Sequence, residues 1–217
     1  MAPAENRWCN LSTARIARVA TVVLASYVAV PSTTYGQTLK ETAKLIGGAA
    51  VGLGLHESAH VVADVASGVA PGLKKVTFGP IPFFAITHDA VPRAREFVIS
   101  SAGFWMQHAV SEYLLVTHPQ LHDEHAPILK GIMAFNVLTS VAYSGAALAR
   151  TGPDERDTRG MALSARVDEQ VIGAVILVPA VLDTLRYFGN DSRWVVWGSR
   201  AAKIGGALLV VKAMRED

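Results

Sequence analysis

The chain has 217 residues, 51% of them hydrophobic and 18% charged, with a formal net charge of +2. This is more apolar than a soluble domain of that size needs, and the basic residues fall between apolar runs instead of in one patch, which argues against a nucleic-acid partner. Cys9 is the single cysteine, so an intrachain disulfide and a CxxC metal site are excluded.

Arg7, Arg15 and Arg18 precede an apolar segment at 19–30 and a small, polar stretch at 31–36. That layout predicts a secretory signal peptide, cut after Ala29 or Gly36, or else a short N-terminal membrane helix within 1–36. A membrane-embedded domain over 37–217 follows. In both cases the basic flank stays inside and residue 37 begins outside.

Four longer apolar segments come next, at about 42–65, 97–117, 126–149 and 167–188, each long enough to span or nearly span a bilayer. A fifth, at 194–211, is interrupted by Arg200 and Lys203, and is expected either to span or to lie along the interface as an amphipathic helix. Lys74, Lys75, Arg93 and Arg95 separate the first two segments, and Arg150, Arg156, Arg159 and Arg166 separate the third and fourth. The connection between the second and third is acidic at Asp123 and Glu124. Basic loops stay inside, so the first long helix runs from outside to inside. Val, Thr, Phe and Ile between 74 and 87, around Gly79-Pro80-Ile81-Pro82, predict two extended pieces and a turn. Such a hairpin is a plain interfacial element or an edge that takes a substrate as an added strand. The expected fold is therefore an all-α polytopic membrane protein, with four to six hydrophobic helices and a small β-hairpin between the first two core spans.

The chemistry is carried by His56-Glu57-Ser58-Ala59-His60, inside the first long apolar segment. Residues four apart share one helical face, so the two imidazoles can grip one zinc while Glu57, one step around, faces a water on it. Zinc lowers the pKa of that water to about 7, Glu57 takes its proton, and a peptide carbonyl is attacked. Two histidines and a glutamate are rare in a bilayer-buried run unless they have partners or a task. The plain alternative is a set of core polar residues satisfied by neighbouring helices.

After the motif come Gly68, then Val76-Thr77-Phe78-Gly79-Pro80, then Ile99-Ser100-Ser101-Ala102-Gly103 at the opening of the next span. This order, over roughly 45–110, resembles the site-2 proteases, the intramembrane metalloproteases of the M50 group. The resemblance implies a zinc ion held by His56, His60 and an aspartate from a later segment, with Glu57 as general base. Phe104 follows Gly103 where the family has proline, and the family's LDG third-ligand motif is absent.

Three aspartates compete for the third position. Asp64, one turn beyond His60 on the same helix, can hardly close a tetrahedral site with both histidines and is expected to cap or support the helix end. Asp157 follows the third span on the side towards which the first helix carries His60, so depth ranks it first. Asp183 is the alternative, although Arg186 at i+3 offers it an ordinary ion pair. Gln107, His108, Ser111 and Glu112 form a stripe expected to face the protein interior. His118, His122, Asp123 and His125 crowd an outer loop, as a second metal site or as solvated charges. Asn136, Ser140 and Ser144 are expected to join helices.

The function expected from these residues is a zinc-dependent intramembrane or membrane-proximal endopeptidase. It would act on membrane proteins or peptides as an integral protein of a bacterial inner membrane. The alternative is a non-catalytic membrane protein that binds or transports a metal. Glu57 separates the two, because ion handling needs the histidines while hydrolysis needs the carboxylate beside them.

Overall fold

The structure is a computed structural model that describes residues 39–78, 81–189 and 192–215. The expected signal peptide or N-terminal helix within 1–36 lies outside the described residues. Those residues form six helices and one two-stranded sheet in the order α1 (Leu39–Ala66), β1 (Gly72–Phe78), β2 (Ile81–Thr87), α2 (Arg93–Thr117), α3 (Pro127–Ala149), α4 (Asp157–Ala165), α5 (Glu169–Tyr187) and α6 (Arg193–Arg215). The five long helices and the hairpin thus fall in the expected segments, and α4 is a further helix in the connection between the third and fourth of them.

α1 has 28 residues, about 42 Å of helix at 1.5 Å per residue. It buries Gly48, Gly52, His56, Ala59, His60, Ala63 and Asp64, a stripe at three- and four-residue spacing. α3 packs along that stripe. A Cβ at Gly48 would collide with the Ile128 carbonyl, and one at Gly131 with the Leu45 carbonyl, so the two backbones touch where only glycine fits. The sheet is an antiparallel hairpin in which Gly72 pairs with Thr87 and Phe78 with Ile81.

Pro127 starts α3, where its missing N–H costs nothing, and Arg150 ends it in the left-handed conformation (φ 52°). The short α4 ends in the same way at Arg166 (φ 54°). Asp168 caps α5 by accepting from the Gln170 N–H at 2.9 Å. The core beneath these helices joins Phe97 and Phe104 of α2 to Met161 and Ala162 of α4 and Ile172 and Ile176 of α5. At its other end α4 is tied to α2, because Arg93 donates twice to the Ser164 carbonyl, at 3.0 and 2.6 Å.

Among the described residues three helices are long and apolar enough to cross a membrane: Leu39–Ala66, Pro127–Ala149 and Glu169–Tyr187. α2, expected to span over 97–117, is a 25-residue helix but is not one of them. Its run of Ser100, Ser101, Gln107, His108, Ser111 and Glu112 lowers its hydropathy, and all of these except Glu112 are buried against other helices. α6 also falls short, interrupted by Arg200 and Lys203.

Candidate metal centre

The i, i+4 spacing on α1 sets His56 and His60 side by side, with their Nε2 atoms 3.3 Å apart. Asp157, the first residue of α4, completes a triangle: its Oδ2 lies 3.4 Å from His56 Nε2 and 3.5 Å from His60 Nε2. These three residues form a group that could hold a metal ion. The spacing is informative. Ligand atoms 2.0–2.1 Å from a tetrahedral centre lie about 3.3–3.4 Å from one another, close to all three sides of this triangle.

Each member is held from behind. His60 Nδ1 lies 2.8 Å from the Ile99 carbonyl, which can only accept, so Nδ1 donates and the ring is held with Nε2 towards Asp157. The His56 ring lies flat against α2 at Gly103, where a Cβ would overlap the imidazole; glycine is what lets the helix come this close. Phe104 meets the same ring edge-to-face at 5.6 Å. Burial opposes ionisation of the Asp157 carboxyl, but His60 and His56 outweigh it and hold the group below the usual carboxylate range. Asp157 Oδ2 is buried and has no hydrogen-bond partner. The charge of this carboxylate is met by a proton on one of the two imidazoles or by a cation held between the three side chains.

The triangle faces a cavity of about 330 Å³. Glu57 lines it beside His56, together with Leu53 of α1, Phe135 and Tyr143 of α3 and the β2 stretch Phe84, Ala85 and Ile86. The hairpin is therefore one wall of the site. Lys74 of β1 donates to Glu155 at 2.5 Å, linking the hairpin to the loop that carries Asp157.

Asp183 is not part of this group. Its Oδ1 accepts from Ser199 at 2.5 Å and from Lys203 at 2.8 Å, and Arg186 stands 3.6 Å away, so charges from α5 and α6 satisfy it. Asp64 is fully buried with neither oxygen hydrogen-bonded, but it does not join the histidines. Gln107, His108 and Ser111 are buried as the stripe predicts, and Asn136 donates to the Gln107 carbonyl and the Ser111 hydroxyl at 3.2 and 3.0 Å. Glu112 instead meets Arg186, Arg200 and Lys203.

The outer histidines disperse. His118 pairs with Glu124 at 2.6 Å, His122 with Asp123 at 3.1 Å and His125 with Glu41 at 3.4 Å. Among the described residues they form no metal-ligand group. Sequence reasoning missed Tyr143, whose side chain interacts with Asp157 and which lines the cavity. Its only signal is a place on the same α3 face as Phe135 and Thr139, which also line the cavity.

No family model, curated protein or solved structure matches the chain.

Proposed function

We propose that this chain is a zinc-dependent endopeptidase of site-2 protease type, acting on membrane proteins or peptides within or beside a bilayer. The observation that carries the proposal is the triangle of His56 Nε2, His60 Nε2 and Asp157 Oδ2, with Glu57 beside it in one cavity. Two imidazoles and one carboxylate are a donor set suited to zinc and leave a fourth position open, as catalytic sites require. Zinc bound there supplies a Lewis acid that activates water and stabilises the charge developing on a peptide carbonyl.

The residues do the rest. Glu57 is on the motif helix but outside the triangle, so its carboxylate is free of ligand duty and serves as the base that takes the proton of the attacking water. It then returns that proton to the leaving amine nitrogen. Leu53, Phe84, Ile86 and Phe135 make the cavity walls largely apolar, which fits an apolar peptide segment and keeps bulk water from the reacting carbonyl. A helical peptide hides its carbonyls in its own hydrogen-bond ladder. A hairpin at the cavity wall favours the extended form that exposes them.

Membrane residence rests on the three apolar helices and on the apolar side chains exposed along them, such as Ile46, Val51, Val62, Val65 and Val178. Placement in a bacterial inner membrane, with the site towards the cytoplasm, rests on the basic residues of the hairpin segment and of the α3–α5 connection.

Glu57→Gln tests the reading. It keeps the size of the side chain but not its basicity, so zinc content should stay while cleavage of an apolar peptide in detergent micelles falls at least about a hundredfold. Cleavage as fast as wild type would refute it. Metal-dependent ion uptake, with no cleavage by wild type or variant, would favour a transporter.

A further inference from the structure

A metal site with two ligands on one helix is half built by the helix itself, because His56 and His60 are aligned by the backbone that carries them. The third ligand has no such support. Asp157 comes from a separate element and follows a connection that bends through Arg150 (φ 52°) and Gly152 (φ 109°). A ligand carried on a loose connection must be ordered each time the metal binds, and affinity falls accordingly.

The structure removes that freedom at both peptide neighbours of Asp157 with one carboxylate. Arg156 donates to Glu169 through Nε to Oε1 and through Nη2 to Oε2, both at 2.6 Å. Thr158 Oγ1 donates to the same Glu169 Oε1 at 2.8 Å. The Arg156 guanidinium also reaches back, with Nη1 donating to the Pro153 carbonyl at 2.8 Å and to the Gly152 carbonyl at 3.3 Å, so it gathers in the preceding turn. The Arg156 and Glu169 side chains are only 7% and 11% exposed, and Thr158 is fully buried, so solvent does not compete for these bonds. Glu169 is itself fixed in the first turn of α5, directly after the cap Asp168, where the peptide dipoles favour a negative charge.

We propose that Glu169 is a positioning residue for the third metal ligand: by gripping Arg156 and Thr158 it fixes the intervening Asp157 with Oδ2 aimed at the two histidines before any metal arrives. The proposal rests on the metal-site reading above. A purely structural role for the same network would hold α4 against α5 without regard to Asp157, and the two roles part company in metal affinity measured with and without the Asp157 carboxylate.

The experiment uses full-length protein in detergent, stripped of metal, with zinc affinity measured by competition against a chromophoric chelator and folding followed by thermal unfolding of the metal-free form. Thr158→Val, which removes one hydrogen bond at nearly constant volume, should weaken zinc binding about tenfold while the metal-free form still unfolds cooperatively, at a midpoint lowered by the lost bond. Glu169→Gln should weaken it by about ten- to a hundredfold. In an Asp157→Asn background neither change should weaken binding further, because the ligand they position is gone. Wild-type affinity in both single variants would overturn the proposal, as would an equal loss in the Asp157→Asn background. Should Glu169→Gln fail to fold, Thr158→Val decides alone. A wild-type protein that binds no zinc would overturn the metal site itself, and this inference with it; a zinc-binding wild type with unaffected variants would overturn the inference only.

Discussion

At the end of α1 that faces the hairpin, two histidines and an aspartate turn ring nitrogens and a carboxylate oxygen towards one another; between α2, α5 and α6, the buried Asp183 and the half-buried Glu112 are each met by cations. In the second region Glu112 accepts from Arg186, Arg200 and Lys203, and Asp183 accepts from Ser199 and Lys203. Three cations face two carboxylates, and none of these five side chains has a buried polar atom without a partner. In the first region Asp157 Oδ2 has no hydrogen-bond partner, and it stands with the two histidine Nε2 atoms in a triangle of 3.3–3.5 Å sides. Burying charge is costly in both places. The closed cluster meets that cost internally and holds helices together, whereas the open one could hold a metal ion and borders a cavity.

Substitutions at the two clusters should therefore differ in kind. The largest effect is expected from His56→Ala or His60→Ala, each of which removes one of three donors and should abolish stoichiometric zinc in the purified protein; unchanged zinc in both variants would erase the contrast. Asp157→Asn should weaken zinc retention by about ten- to a hundredfold with little loss of fold stability, since the group it leaves is a metal site. Asp183→Asn should do the reverse. Zinc would remain, while thermal or denaturant unfolding would show a loss of roughly 1–3 kcal/mol as the buried Arg186 and the largely covered Lys203 lose a charged acceptor. If Asp183→Asn loses zinc and Asp157→Asn keeps it, the assignment of open and closed clusters is inverted.

A smaller effect is expected at Gly103, where the added methyl of Gly103→Ala would press on the His56 ring. The ring must tilt or α2 must move away, so zinc affinity measured by chelator competition should fall about tenfold without loss of helix content. Wild-type affinity in that variant would mean the close approach has no bearing on the site. The smallest effect is expected from Lys74→Ala. The Lys74–Glu155 pair raises the lysine pKa and lowers that of Glu155, but the pair lies at an exposed position, so removal of Lys74 should leave zinc content and unfolding midpoint nearly unchanged.

Much of the open cluster is legible in the chain. A four-residue spacing needs only a helix to put His56 and His60 together, and depth relative to the basic loops ranks Asp157 ahead of Asp183. The closed cluster is less visible. The i+3 relation of Arg186 to Asp183 can be seen in advance, but Lys203 and Ser199 reach Asp183 from α6, and Glu112 meets them from α2, contacts that no local spacing reveals. The same limit hides Gly103, which agrees in order with a glycine of the site-2 proteases but owes its place here to a histidine ring on another helix. α2 shows the opposite failure. Its polar stripe predicts an inward face, and that same stripe removes it from the helices apolar enough to cross a membrane alone. The hairpin is legible as two strands, but its role as a cavity wall depends on where α1 and α3 cross.

The most direct test of the account is X-ray absorption at the zinc edge on full-length protein purified in detergent, with metal content measured on the same sample. About one zinc per chain is expected, with two imidazole nitrogens and at least one carboxylate oxygen at about 2.0–2.1 Å, and loss of that signal in His56→Ala. A protein that binds no zinc, or a zinc shell without imidazole that persists in His56→Ala, would contradict it.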